Sequence, residues 1–356
     1  MYKILVINPG STSTKIAVFE NENPIFQKTL RHSSQELEKF PNVASQYEFR
    51  KEVILNELKE AGINSGSFNA VIGRGGLVKP IPSGVYEVND AMKKDLTNSW
   101  IGEHASNLGG LIADDIARDI KDAKAFIADP VVVDEFDEVA RISGHPLLPN
   151  LSIFHALNQK AIARKFAKEN NLTYEKINVI VAHLGGGISV GAHKQGRVVD
   201  VNNALNGYGP FSPERAGTLP AFQLAELCFS GKYSLTEIRS MITGKGGMVA
   251  HLGTNEMPIV NQRAEAGDKQ AELLLYAMGY NIAKAIGAAH VVLKGKVQGI
   301  LLTGGIAYND IIVGYIKEYV GCLGVVYVYP GEDEMSSLAM NALGVLTGEM
   351  KCQTYK

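Results

Sequence analysis

Twice in this chain an apolar run ends in a loop of polar residues or bare glycine and then resumes as a second apolar run. The first instance is Leu5-Val6-Ile7-Asn8-Pro9-Gly10, and the second is Ile180-Val181-Ala182-His183-Leu184-Gly185. A buried strand, a turn and a returning strand in each half point to two related sheets and so to two domains. The length of 356 residues agrees, because it exceeds what one ordinary core encloses. Two related halves that face each other form an interdomain cleft, the usual place for a ligand.

The remaining pattern alternates strands and helices. Residues 2–7, 15–20 and 25–30 read as strands, 49–58 as a helix stopped by Gly62, and 70–72 as a strand entering Gly73-Arg74-Gly75-Gly76. A helix over 108–120 and a strand over 125–127 follow. The second half reads as a helix over 157–170, a strand over 179–182, a hairpin of 188–192 and 197–201, and a long helix over 271–293. Strands at 299–303 and 325–329 and a helix over 335–346 close the chain. Charged residues are 20% and the net charge is −2, so no basic field draws the chain to nucleic acid or an anionic membrane. The apolar run 4–7 is too short for a signal peptide, and no uncharged apolar stretch reaches the ~18 residues of a membrane span. Cys228, Cys322 and Cys352 have neither metal nor redox spacing, which suits reduced thiols in a cytoplasmic protein.

The loops carry the chemistry. Asn8-Pro9-Gly10-Ser11-Thr12-Ser13-Thr14-Lys15 sets hydroxyls, an amide and an ammonium between two strands, and such a hairpin can hold phosphate oxygens on side chains and free N–H groups. His183-Leu184-Gly185-Gly186-Gly187-Ile188-Ser189 follows a buried strand, and its bare backbone allows close approach of a ligand at the strand's carboxyl end. Gly304-Gly305 repeats that junction after 300–303 and suits a nucleotide base or ribose. Each loop alone also suits a plain surface turn. Arg74, Arg215 in Phe211-Ser212-Pro213-Glu214-Arg215-Ala216-Gly217, and Asp129 before Pro130 lie beside these loops in the pattern. Two arginines to neutralise charge and one aspartate to orient a metal or acceptor are what phosphoryl transfer needs. Gly187-Ile188-Ser189-Val190-Gly191 also matches a hydrolase elbow, but Ile188 and Val190 continue a strand where that motif needs a helix. The G-x-x-x-x-G-K-[ST] and G-x-G-x-x-G patterns and zinc spacings are absent from the sequence.

Taken in order, these loops, with Phe126-Ile127-Ala128-Asp129-Pro130 and 302–306, resemble the acetokinase family, nearest its butyrate kinase branch. The resemblance implies an α/β, two-domain actin-like ATPase (ribonuclease H-like) fold of the acetate and sugar kinase superfamily. It implies domains of 1–152 plus 332–356 and of 153–331, with the C-terminal helix packed back on the first. It also implies reversible transfer of the ATP γ-phosphate to a short-chain fatty acid, giving an acyl phosphate and ADP, with Mg²⁺ as cofactor and a homo-oligomer of two or more chains. By position, Arg74, Asp129, His183 and Arg215 match the catalytic residues. Asn8, Ser11, Ser13, Lys15 and His155 match substrate or phosphate contacts. Gly185, Gly186, Gly187, Gly304, Gly305 and Ile306 match the nucleotide loops. Asp129 is the expected metal ligand, directly or through water. The acetate enzymes carry a metal-binding glutamate soon after the last glycine loop; Ala307-Tyr308-Asn309 stands in that stretch here.

Two other readings share the fold. A sugar or polyol kinase would use Asp129 as a general base on a hydroxyl. A nucleotide-driven switch would turn over ATP with no small acceptor, and the sequence offers no peptide-binding module for one.

Overall fold

The computed structural model describes residues 1–98 and 104–356. The chain forms two compact units, Met1–Val133 with Asp333–Lys356, and Asp134–Glu332. In chain order the strands are β1 (Lys3–Pro9), β2 (Ser13–Glu20), β3 (Asn23–Arg31), β4 (Ala70–Arg74), β5 (Val85–Glu87), β6 (Lys124–Ala128), β7 (Asn178–Leu184), β8 (Ile188–Lys194), β9 (Arg197–Val201), β10 (Gly299–Gly304), β11 (Val326–Pro330) and β12 (Cys352–Thr354).

The first unit's sheet has the order β12-β5-β6-β4-β1-β2-β3, and the second unit's has β11-β10-β7-β8-β9. In the first, β1 to β3 form an antiparallel meander, and β4 then β6 add in parallel on the far side of β1. The second repeats this: β7 to β9 meander, and β10 then β11 add in parallel beside β7. The echo in the sequence is therefore the visible part of a shared five-strand topology.

Each central strand is apolar because both its faces are covered. Ile4, Leu5, Val6 and Ile7 are all fully buried. Leu5 and Ile7 join a core with Ile54, Leu108 and Ile112. The alternate residues face the other side, where the helix Glu334–Thr347 packs on β1, β4 and β6. In β7, Ile180, Ala182 and Leu184 meet Leu275, Met278 and Ile282 of the helix Lys269–Val292. Val179 and Val181 instead meet Ala163 and Phe166 of the helix Ala156–Glu169. The β8–β9 hairpin turns on Gln195 and Gly196, both at positive φ, as a two-residue turn of the hand that matches strand twist.

The segment 134–152, grouped with the first domain on sequence, is tied into the second unit. The Asp137 N–H donates to the Val199 carbonyl at 3.0 Å. Glu135 pairs with buried Lys160 at 2.7 Å and accepts the Val198 N–H at 2.9 Å. A run without regular pattern gives no hint of such partners.

Candidate functional site

In both units the sequence-predicted residues gather at the carboxyl ends of parallel strands, where helix and strand packing leaves backbone open to a ligand. In the first unit the register sets Ile7 beside Gly73 and Arg74 beside Ala128, so Asn8, Arg74 and Asp129 fall on adjoining strand ends. Lys15 stands directly across from Asn8 on β2 and so shares its face. The Arg74 guanidinium lies 3.2 Å from Glu334 Oε1 and 3.3 Å from Oε2, and Asn8 Nδ2 donates to Oε2 at 2.5 Å. The glycines around Arg74 serve packing. A Cβ on Gly73 would stand 2.1 Å from the Gly109 carbonyl oxygen, and one on Gly75 would stand 2.6 Å from Pro130 Cβ.

Asp129 is buried, with φ at +38°, a conformation few residues other than glycine, asparagine and aspartate accept. Its Oδ1 accepts from Ser83 Oγ at 2.6 Å and from the Gly84 N–H at 2.8 Å. It therefore fixes the turn before β5 as well as ending β6. Ser11 is exposed in the loop between β1 and β2, and Ser13, half-buried, opens β2.

In the second unit His183 is the penultimate residue of β7 and is 1% exposed, with Nε2 3.1 Å from Glu332 Oε1. The His155 ring stacks on it at 4.0 Å between centroids. A buried chain of hydrogen bonds sets the protons behind His155. Gln159 Nε2 donates to the Ser189 carbonyl at 3.0 Å, an acceptor only, which fixes the amide's orientation. Gln159 Oε1 therefore accepts from His193 Nε2 at 2.9 Å, and the other ring nitrogen accepts from the Tyr174 hydroxyl at 2.8 Å. Burial, with the charges of Lys160 and Arg164, holds His193 well below the usual imidazole range and so neutral. Ser189 Oγ takes the second Gln159 N–H at 2.8 Å and shares a hydrogen bond with His155 Nδ1 at 2.9 Å.

Arg215 is pressed against the glycine loop. A Cβ on Gly187 would lie 2.0 Å from its Nη1, so only glycine leaves room for the guanidinium. Nη1 donates to the Ala204 carbonyl, while Nε has no hydrogen bond among the described residues. Burial lowers the Arg215 pKa from its ordinary value, and the neighbouring Glu214 charge opposes that shift. Ser212 ties the two loops: its Oγ donates to the Gly186 carbonyl at 2.5 Å and accepts the Arg215 N–H at 3.1 Å.

A cavity of about 480 Å³ in this unit is lined by Gly185, Gly186, Gly305 and Ile306, with Asn261 and Tyr308 on its wall. Gly187 and Gly304 serve behind it. Gly304 has φ +92° and lies against the Leu184 backbone, where a Cβ would come within 2.4 Å of a carbonyl oxygen. Sequence reasoning missed Glu332 and Glu334, which meet His183 and Arg74. The acidic run Glu332-Asp333-Glu334, which follows β11 and enters the helix Glu334–Thr347, was their signal. It also missed Gln159, in the first turn of the helix Ala156–Glu169, whose N–H donates to the carbonyl of the N-cap residue His155 at 2.9 Å.

Two units of one strand order, each with polar and glycine loops at its parallel strand ends, define the fold class of the actin-like ATPases. A solved acetate kinase from Porphyromonas gingivalis has this fold, with a TM-score of 0.81 at 18% identity over 97% of this chain and 100% of that one. The acetokinase family profile matches residues 153–330. A protein named probable butyrate kinase in Bacteroides thetaiotaomicron is 58% identical over 99% of this chain and all of its own length. One named butyrate kinase 2 in Clostridium acetobutylicum is 56% identical over 100% of this chain and 99% of its own. The chain belongs to the acetokinase family.

Proposed function

We propose that the chain is a butyrate kinase, an ATP-dependent phosphotransferase with a carboxyl group as acceptor. It moves the ATP γ-phosphate reversibly to butyrate or a branched relative, giving an acyl phosphate and ADP. Identity of 58% and 56% across the full chain to two proteins of that name carries the reading.

The acceptor needs no base, because a fatty carboxylate, with a pKa near the ~4.3 of glutamate, is ionised at neutral pH. The obstacle is two anions in approach, and cations must offset their repulsion. Arg74, Lys15 and Asn8 supply donors from the first unit. Arg215, held by Gly187, and His183 and His155 supply them from the second. His183 donates through Nε2 when a phosphoryl oxygen replaces Glu332 as its partner. The cavity beside Gly185 and Gly305 takes the nucleotide, with Ile306 against the adenosine.

Magnesium fits this donor set as a nucleotide-borne ion. No group of three His, Cys, Asp or Glu side chains suited to a metal exists among the described residues. Mg²⁺ in kinases rests mainly on phosphates, water and one or two carboxylates. Asp129, directly or through water, and Glu334 are the carboxylates at the strand ends, and the ion would neutralise phosphate charge there.

Three free cysteines, two of them exposed, support a reducing, cytoplasmic location. No described helix is long and apolar enough to cross a membrane. The expected self-association is supported by the helix Ala221–Phe229, on which Phe222 is 73% and Phe229 91% exposed.

Hydroxylamine trapping of the acyl phosphate tests the reading, with ATP and acids from acetate to valerate. Hydroxamate with butyrate and none with hexoses is expected. Turnover of ATP that ignores every acid, or a phosphorylated sugar, overturns it.

A further inference from the structure

Arg50 lies on the helix Tyr47–Glu60, is 1% exposed, and makes no ion pair among the described residues. Its donors go instead to the loop that follows β1. Nη1 donates to the Gly10 carbonyl at 2.7 Å, the Ser13 carbonyl at 3.1 Å and Thr14 Oγ1 at 3.2 Å. Nη2 donates to the Ser11 carbonyl at 2.9 Å and to Gln46 Oε1 at 2.8 Å, and Nε to the same Oε1 at 3.1 Å. The Thr12 carbonyl accepts the His32 N–H at 2.9 Å. Every carbonyl from Gly10 to Ser13 is thus engaged. The N–H groups of Ser11 and Thr12 and the hydroxyls of Ser11, Thr12 and Ser13 make no hydrogen bond among the described residues.

A buried cation without a counter-charge is costly, and it is retained only where its hydrogen bonds are complete and its field is used. Burial pulls the Arg50 guanidinium down to about 10, which leaves it charged at neutral pH. Carbonyls gathered on one side of a tight loop free the other side for donors, the pattern of an anion-binding nest.

We propose that Arg50 is a positioning residue for phosphoryl binding. It draws the loop's carbonyls inward, leaves the outer face to N–H and O–H donors, and sets a positive charge behind them. The inference rests on the reading of residues 8–15 as a phosphate loop.

The test measures MgATP affinity, butyrate KM and kcat in the full chain for Arg50→Lys, Arg50→Ala and, as a gauge of the loop itself, Lys15→Ala. Lysine keeps the charge but has fewer donors and no fork. Arg50→Lys should bind MgATP about tenfold more weakly, the scale of one charged hydrogen bond, with butyrate KM unchanged. Added guanidinium should restore Arg50→Ala, an outcome that lost packing alone does not give. If Lys15→Ala weakens MgATP binding while folded Arg50 variants match the wild type, the cradle is overturned and the phosphate loop stands. If neither position affects MgATP, both fail. If the Arg50 variants do not fold, Gln46→Met decides. It removes two tethers from the guanidinium, and a few-fold loss of MgATP affinity supports the role while wild-type affinity overturns it.

Discussion

At the scale of single residues, the contact between Gly187 and Arg215 gives the sharpest prediction. A methyl group at 187 must push the guanidinium away, since its Cβ would lie 2.0 Å from Nη1. An arginine that acts on transferring phosphoryl charge is worth on the order of 10³-fold in rate. Gly187→Ala should therefore lower kcat steeply while MgATP affinity changes little, and Arg215→Ala should do the same. The double variant should lose little beyond either single one, because both remove one interaction. Additive losses would mean the two residues act apart. His193 carries a pH prediction. Its folded-state pKa is depressed, so the unfolded chain binds a proton at higher pH than the folded one. Stability is then full above the unfolded value of ~6.5 and falls as pH drops toward the folded-state pKa. His32 is shifted the same way by burial and by Arg50, with Glu36 opposing, so it adds to the same slope. Glutamine at 193 can donate to Gln159 and accept from Tyr174 without titrating. His193→Gln should flatten, without abolishing, the acid-side loss of stability in denaturant titrations between pH 7.5 and pH 5 (about the range that spans the unfolded value).

At the scale of elements, strand ends set the site, and Asp129 shows how one residue joins structure to chemistry. Asn in its place keeps the left-handed backbone and the two bonds that Oδ1 accepts from Ser83 and Gly84, while it removes the charge. Asp129→Asn should leave the melting temperature within a few degrees and lower kcat by ~10² or more if the carboxylate acts on the metal or the reacting groups. Wild-type rate in that variant would confine Asp129 to holding the turn. The strands and long helices were legible because each has a clean period and a clear stop. Examples are Val179 to Ala182 entering Gly185, and the helix Lys269–Val292 behind its Asp268 N-cap. Short elements were not. The strand Cys352–Thr354 is three residues paired with β5, and its existence depends on a partner far away in sequence. The same holds within the site. Asn8, Arg74 and His183 announced themselves by lying at loops. Arg50, Gln159 and His193 sit inside ordinary helices and strands, and only long-range contacts give them a role.

At the scale of the molecule, the repeat of one five-strand order in both units accounts for why loops at equivalent strand ends carry the candidate residues. Duplication explains the inner architecture but not the helix Ala221–Phe229, which has no buried residue although its composition is apolar. Phe222 and Phe229 are seven residues apart and so lie on one helical face. A second copy of the chain is the expected cover, and a two-fold pairing would bury that face twice. At ~2 kcal/mol for each phenylalanine buried, four rings contribute roughly 8 kcal/mol to association. The double variant Phe222→Glu, Phe229→Lys should therefore raise the dissociation constant by on the order of 10⁶-fold. Sedimentation should show the wild type as a dimer or larger species and the variant as a monomer at the same micromolar concentration. Its circular dichroism should be unchanged, since neither ring belongs to a core. A wild type that sediments as a monomer at high concentration would refute the pairing, and a variant that still associates would move the interface elsewhere.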